Sequence, residues 1–175
     1  MPVTPSTSTK IKNRKIANDV FITPKELAKA HIDFIPDEYK QDGCFWLDPC
    51  KNSGSYYNQF PNNVKKYWTD ILENRDFLKL ILCENSFDVI IQNPPYSILD
   101  SWIAKNIEMN AKCCSFLIGL QNLTARRIEM FEEAGYALTK MKMLKVWKWY
   151  GMSVLVNFEK TDKKSIIEID RTIYK

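Results

Sequence analysis

The sequence predicts an α/β fold: a mostly parallel sheet with helices on both faces and an antiparallel hairpin at its C-terminal end. Three observations carry this. Short apolar runs alternate with segments of helical spacing, the pattern of a sheet covered by crossover helices. Residues 87–92 form a strongly apolar run that reads as buried on both faces, as parallel strands are. The last two apolar runs, 137–146 and 152–159, are joined through residues 147–151 and make an antiparallel ending.

The elements follow in order. Residues 1–18 are rich in Ser, Thr, Pro and Lys and read as a mobile basic arm; residues 19–175 form one domain. Thr23-Pro24-Lys25-Glu26 is a helix start, with Thr23 as N-cap and Pro24 at the first helical position, and the helix stops before Pro36. Residues 44–47 are a short buried strand ending at Asp48-Pro49, followed by a loop over 50–61. Residues 64–68 are a second strand, Phe77-Leu78 opens a short element, and 87–92 is the third strand. Helical spacing over 98–109, a buried strand over 113–120 and a helix over 125–134 stopped by Gly135 lead into the final hairpin.

Composition excludes several classes. The chain of 175 residues is 45% hydrophobic and 26% charged, which suits one soluble domain with a real core. Its apolar runs are too short to span a bilayer, and the N-terminus lacks a signal-peptide pattern. Five cysteines without a C-x-x-C pair read as reduced thiols in a cytosolic or nuclear protein. A single histidine, His31, makes a Cys/His zinc site or a Ser-His-Asp triad improbable. The net charge of +4 permits nucleic-acid binding without demanding it.

The deciding motif is Asn93-Pro94-Pro95-Tyr96, directly after the third strand. A given tetrapeptide occurs by chance in roughly one chain in a thousand of this length, so position matters as well. In open α/β sheets ligands bind beyond the carboxyl ends of the strands. The exocyclic amino group of adenine is a poor nucleophile, because its lone pair is delocalised into the ring. Acceptors that hold both N–H bonds let the nitrogen become more tetrahedral as it attacks. The Asn93 side-chain oxygen and the Pro94 carbonyl are such acceptors, two prolines stiffen the turn, and Tyr96 offers a flat face for a base.

With these residues the chain resembles the N6-adenine DNA methyltransferases whose cofactor half precedes the catalytic half, over most of residues 21–160. The resemblance implies a Rossmann-like methyltransferase fold, S-adenosylmethionine as cofactor and DNA as substrate. Phe21-Ile22-Thr23-Pro24 resembles the block lining the methionine end of the cofactor. Leu47-Asp48-Pro49 with Ser53-Gly54-Ser55 resembles the first cofactor loop, Asp70 the ribose-binding acid, and Asp76-Phe77 the pair that holds the cofactor's adenine. Asn93 then serves both cofactor and target. The region 147–159 resembles the hairpin beside the target base. The departure is a single glycine, Gly54, where the family usually has two or three; Asn52 stands in that turn and tolerates positive φ.

Arg126 and Arg127 are expected to contact phosphates. Lys145 and Trp147 belong to an expected basic, aromatic surface formed with Lys140, Lys142, Lys148 and Trp149. No metal is implied. Sixteen residues after Glu159 leave no room for a separate target-recognition domain, so a partner subunit or a homodimer is expected to supply recognition. The same tetrapeptide also suits methylation of RNA amino groups or protein glutamine amides, and a non-catalytic subunit can keep the fold.

Overall fold

The structure, a computed structural model, describes residues 21–81, 87–145 and 152–170. The expected arm, the hairpin link at 147–151 and Cys83 lie outside the described residues.

Six strands form one sheet in the order β2-β1-β3-β4-β6-β5. They are β1 (Phe45–Asp48), β2 (Lys65–Trp68), β3 (Val89–Gln92), β4 (Cys113–Gly119), β5 (Tyr136–Leu144) and β6 (Ser153–Lys160). The pairs β1–β2, β1–β3 and β3–β4 are parallel, whereas β4–β6 and β5–β6 are antiparallel, as the sequence predicts. Among the described residues three α-helices cover the sheet: α1 (Lys25–Phe34), α2 (Leu99–Glu108) and α3 (Ala125–Glu133).

The pleat sends alternate side chains to two cores. On one face Ala28, Ile32 and Ile35, from α1 and its end, pack on Trp46, Val89, Ile91 and Cys113. On the other, Leu99, Trp102 and Ile103 of α2 with Ile128 and Phe131 of α3 pack on Leu47, Ile90, Cys114, Phe116, Val156 and Phe158. Both faces of β3 and β4 are buried, which is why their sequences show no polar alternation.

One local expectation changes. Pro24, not Thr23, occupies the N-cap position of α1, and no side chain caps the helix. Thr23 is buried and directs its hydroxyl to Asn93 instead. The connections β1→β2 and β2→β3 contain no α-helix among the described residues. Short 3-10 turns at Tyr57–Gln59, Ile71–Glu73 and Phe77–Lys79 take that place. Aspartates organise the latter two: Asp70 accepts from the Leu72 N–H and Asp76 from the Leu78 N–H.

Candidate active site

After β1 the chain moves outward to β2; after β3 it moves the opposite way to β4. The crevice where strand order reverses therefore opens at the carboxyl ends of β1 and β3. Those ends carry Asp48 and, one residue past Gln92, Asn93.

Asp48 is fully buried. Its carboxylate accepts from the Cys50 N–H at 3.2 Å and the Tyr57 N–H at 3.3 Å. Burial pushes its pKa up to about 7; these N–H donors oppose the shift and Asp70 adds to it. Pro49 is buried beside it, its carbonyl accepting from the Thr69 hydroxyl at 2.7 Å. Asp70 holds the Asn52 N–H at 2.6 Å and the Leu72 N–H at 2.9 Å, one on each oxygen. Each oxygen keeps a lone pair for a further donor.

The glycine-poor loop closes as the sequence suggests. Asn52 takes φ 46° and Gly54 φ 79°, so asparagine does the work of a second glycine. At Gly54 a Cβ would also lie 2.5 Å from the Asn58 side chain.

The tetrapeptide turns into a 3-10 segment at Tyr96–Ile98. Asn93 donates its Nδ2 to the Thr23 hydroxyl at 3.2 Å. Its carbonyl accepts from the Cys50 thiol at 3.2 Å, and burial followed by the Asp48 charge pushes that thiol well up, so it stays a donor. The Tyr96 phenol oxygen accepts from the Gly119 N–H at 3.0 Å, fixing the ring against β4. Phe21 lies beside that ring, centroids 6.2 Å apart and planes 30° apart. Phe21, Thr23, Asp48, Asn93 and Tyr96 thus come together from sequence positions up to 75 residues apart (96 − 21).

Other expected residues go elsewhere. Phe77 is a core side chain against Trp102, ring centroids 4.8 Å apart. Asp76 caps its own turn and pairs with Lys79 at 3.7 Å; it lines an open hollow of about 440 Å³ with Tyr67, Ile71 and Arg75. Arg127 binds Asp100 at 2.7 Å and the Asn122 carbonyl at 2.9 Å, tying α3 to α2. Arg126 and Lys145 are exposed. Lys140 is exposed and donates to the Phe34 carbonyl at 2.8 Å. Trp147, Lys148 and Trp149 lie outside the described residues.

Sequence reading missed Cys50, Tyr56 and His31 as neighbours of this site. Nothing local marks them, because their partners lie 25 to 84 residues away in sequence.

The fold and this crevice define the class: a Rossmann-like methyltransferase fold. No family model matches the sequence, and no curated protein does; solved structures do. The chain is similar to the magnesium protoporphyrin IX methyltransferase of Synechocystis PCC 6803, solved with bound S-adenosylmethionine (TM-score 0.61, 11% identity, 87% of this chain and 92% of that one). It is similar to the chain from the E. cuniculi Mtq2-Trm112 complex responsible for methylation of the eRF1 translation termination factor (0.60, 20%, 82% and 100%). It is also similar to the type I restriction-modification methyltransferase subunit of Streptococcus thermophilus (0.55, 17%, 80% and 45%).

Proposed function

We propose that this chain is an S-adenosylmethionine-dependent methyltransferase acting on the N6 amino group of adenine in DNA. The observation that carries the reading is Asn93-Pro94-Pro95-Tyr96 at the strand-order reversal, with the Asn93 amide nitrogen engaged by Thr23. With that nitrogen taken, the acceptor oxygen is the end left for a substrate N–H.

The residues present fit the cofactor. Asp48 is a buried carboxylate with two backbone donors and, among the described residues, no hydrogen-bonded cation. That donor set is completed by the ammonium of a methionine moiety. Asp70 has lone pairs for ribose hydroxyls, and the exposed Ile71 beside it offers an apolar surface. When bound, S-adenosylmethionine supplies an electrophilic methyl group.

The chain's own residues do the rest. Asn93 Oδ1 and the Pro94 carbonyl accept the two N–H bonds of the target amino group, and the ring of Tyr96 supports the base. A target within a duplex is extruded into the crevice. Positioning supplies most of the acceleration.

The test is transfer of labelled methyl to DNA, RNA and protein offered side by side. DNA is expected to be labelled, with the label recovered as N6-methyladenine. Asn93→Ala is expected to lower kcat by about 100- to 1,000-fold and leave cofactor affinity within about twofold. Full activity in that variant removes Asn93 from the mechanism. A second reading, methylation of a glutamine amide in a protein, is favoured by one observation: the chain covers all of the chain from the E. cuniculi complex but 45% of the restriction-modification subunit. Label on protein and none on DNA would select it.

A further inference from the structure

The Pro94 carbonyl belongs to a segment with little conformational freedom. The ring of Pro94 fixes its own φ, and the ring of Pro95 confines the ψ of Pro94 to extended values. The Asn93–Pro94 peptide is planar. Once the orientation of that plane is set, the direction of the Pro94 carbonyl follows from it. The plane carries one hydrogen-bonding group, the Asn93 carbonyl, because Pro94 has no N–H. Whatever donates to the Asn93 oxygen therefore aims the Pro94 oxygen.

The donor is Cys50, whose Sγ lies 3.2 Å from the Asn93 carbonyl oxygen. The thiol contacts of Cys44 and Cys114 are longer, at 3.9 and 4.0 Å. Burial, then the Asp48 charge, raises the Cys50 thiol well above its ordinary value, so it keeps its proton at neutral pH. A thiol is a weak donor, and it positions a partner only if its own backbone is held. Cys50 is held. Its N–H donates to Asp48 at 3.2 Å. The Pro49 carbonyl before it accepts from the Thr69 hydroxyl at 2.7 Å, and the Lys51 N–H after it donates to the Thr69 carbonyl at 3.0 Å. The strand end that leads into Asn93 is fixed as well: Gln92 is fully buried, and its Nε2 donates to Asn106 of α2 at 2.6 Å.

We infer that Cys50 is a positioning residue for methyl transfer: its thiol sets the Asn93–Pro94 peptide, and with it the Pro94 carbonyl that receives an N–H of the acceptor. The backbone of the same residue reaches Asp48. The loop that holds the cofactor and the turn that holds the acceptor are thus kept in register through one side chain. This deepens the methyl-transfer reading and rests on it for its catalytic consequence. The sulfur acts as a proton donor to the turn and not as a nucleophile.

Two measurements test the inference. A hydrogen-bonded thiol has a lower S–H stretching frequency than a free one, and Raman spectra of the full chain read it directly. The wild-type protein is expected to show a component displaced below the other thiols, lost in Cys50→Ala and kept in Cys83→Ser. Absence of that component, or its survival in Cys50→Ala, overturns the inference. Cys50→Ala also leaves the backbone donor to Asp48 in place. It is expected to lower kcat by about 10- to 100-fold and to keep S-adenosylmethionine affinity within about twofold. Cys50→Ser leaves a similar gap but restores a donor, so it should regain most of the loss. Wild-type kcat in Cys50→Ala, or equal kcat in the alanine and serine variants, would sink the positioning role. So would a matching fall in cofactor affinity, which marks damage to the loop instead. If the wild-type protein labels no acceptor at all, the methyl-transfer reading fails, and the vibrational component still decides whether Cys50 holds the turn.

Discussion

A carboxylate as deeply buried as Asp48 is costly until something positive meets it. Its pKa rises from 3.8 unfolded to about 7 folded, so the folded protein holds that proton more tightly. The sign follows from linkage: the stability that this proton contributes is fully present below about pH 4 and is lost as pH rises through about 7. The thermal midpoint of the unliganded protein should therefore fall more steeply between about pH 4 and about pH 7 than that of Asp48→Asn. A bound ammonium needs the ionised form. Calorimetric affinity for S-adenosylmethionine should drop by up to about tenfold per pH unit below about 7, with proton release on binding. An affinity flat over that range would detach Asp48 from the ammonium. At this scale the positions of Asp48, Asp70 and Asn93 at the carboxyl ends of strands were legible, because each closely follows a run that the sequence marks as a strand. Phe77 was not: its neighbour Asp76 looks the same in sequence whether the ring turns to a ligand or, as here, into the core against Trp102.

Among elements, the strands and helices followed from apolar periodicity to within a residue or two, with β3 opening at Val89 rather than Phe87. The connections were legible as a loop over 50–61 and a short element at Phe77-Leu78, but not as particular 3-10 turns, since a 3-10 turn shaped by one aspartate leaves no period to read. Thr23 shows the same limit. Its capping preference is local, but burial beside Asn93 overrode it. The adjacent arginines separate for a similar reason: Arg127 points back across α3 to Asp100, whereas Arg126 is exposed. Arg127→Ala should lower the thermal midpoint and leave the salt dependence of DNA binding alone. Arg126→Ala should leave the midpoint alone and, if it meets a phosphate, reduce the slope of log K against log salt by about 0.9. Filter binding over a salt series, with calorimetry of the free variants, checks both.

As a whole the sheet is lopsided. Strands β1, β2 and β3 have four residues each, while β4, β5 and β6 have seven, nine and eight. The thick half is tied by long antiparallel ladders and by stacked Phe131 and Phe158, centroids 4.0 Å apart. Backbone amides of β4 and β6 should exchange slowest and those of β2 fastest, as deuterium uptake by mass spectrometry would show. Equal protection of β2 would refute this. Strand order itself was only partly legible: the antiparallel ending came from adjacency in sequence, whereas the reversal between β1 and β3 depends on contacts across more than forty residues (89 − 46 = 43).

Asn93 hangs at the boundary between these halves, moored to the thick one because Tyr96 is pinned to Gly119. Asp70 sits at the thin margin, where its own carboxylate is much of what shapes the turn. Injury to that margin would release whatever Asp70 grips and spare the geometry at Asn93. Such a damaged molecule would keep its shape and its tool but lose its hold on the reagent, and a surplus of that reagent would restore it.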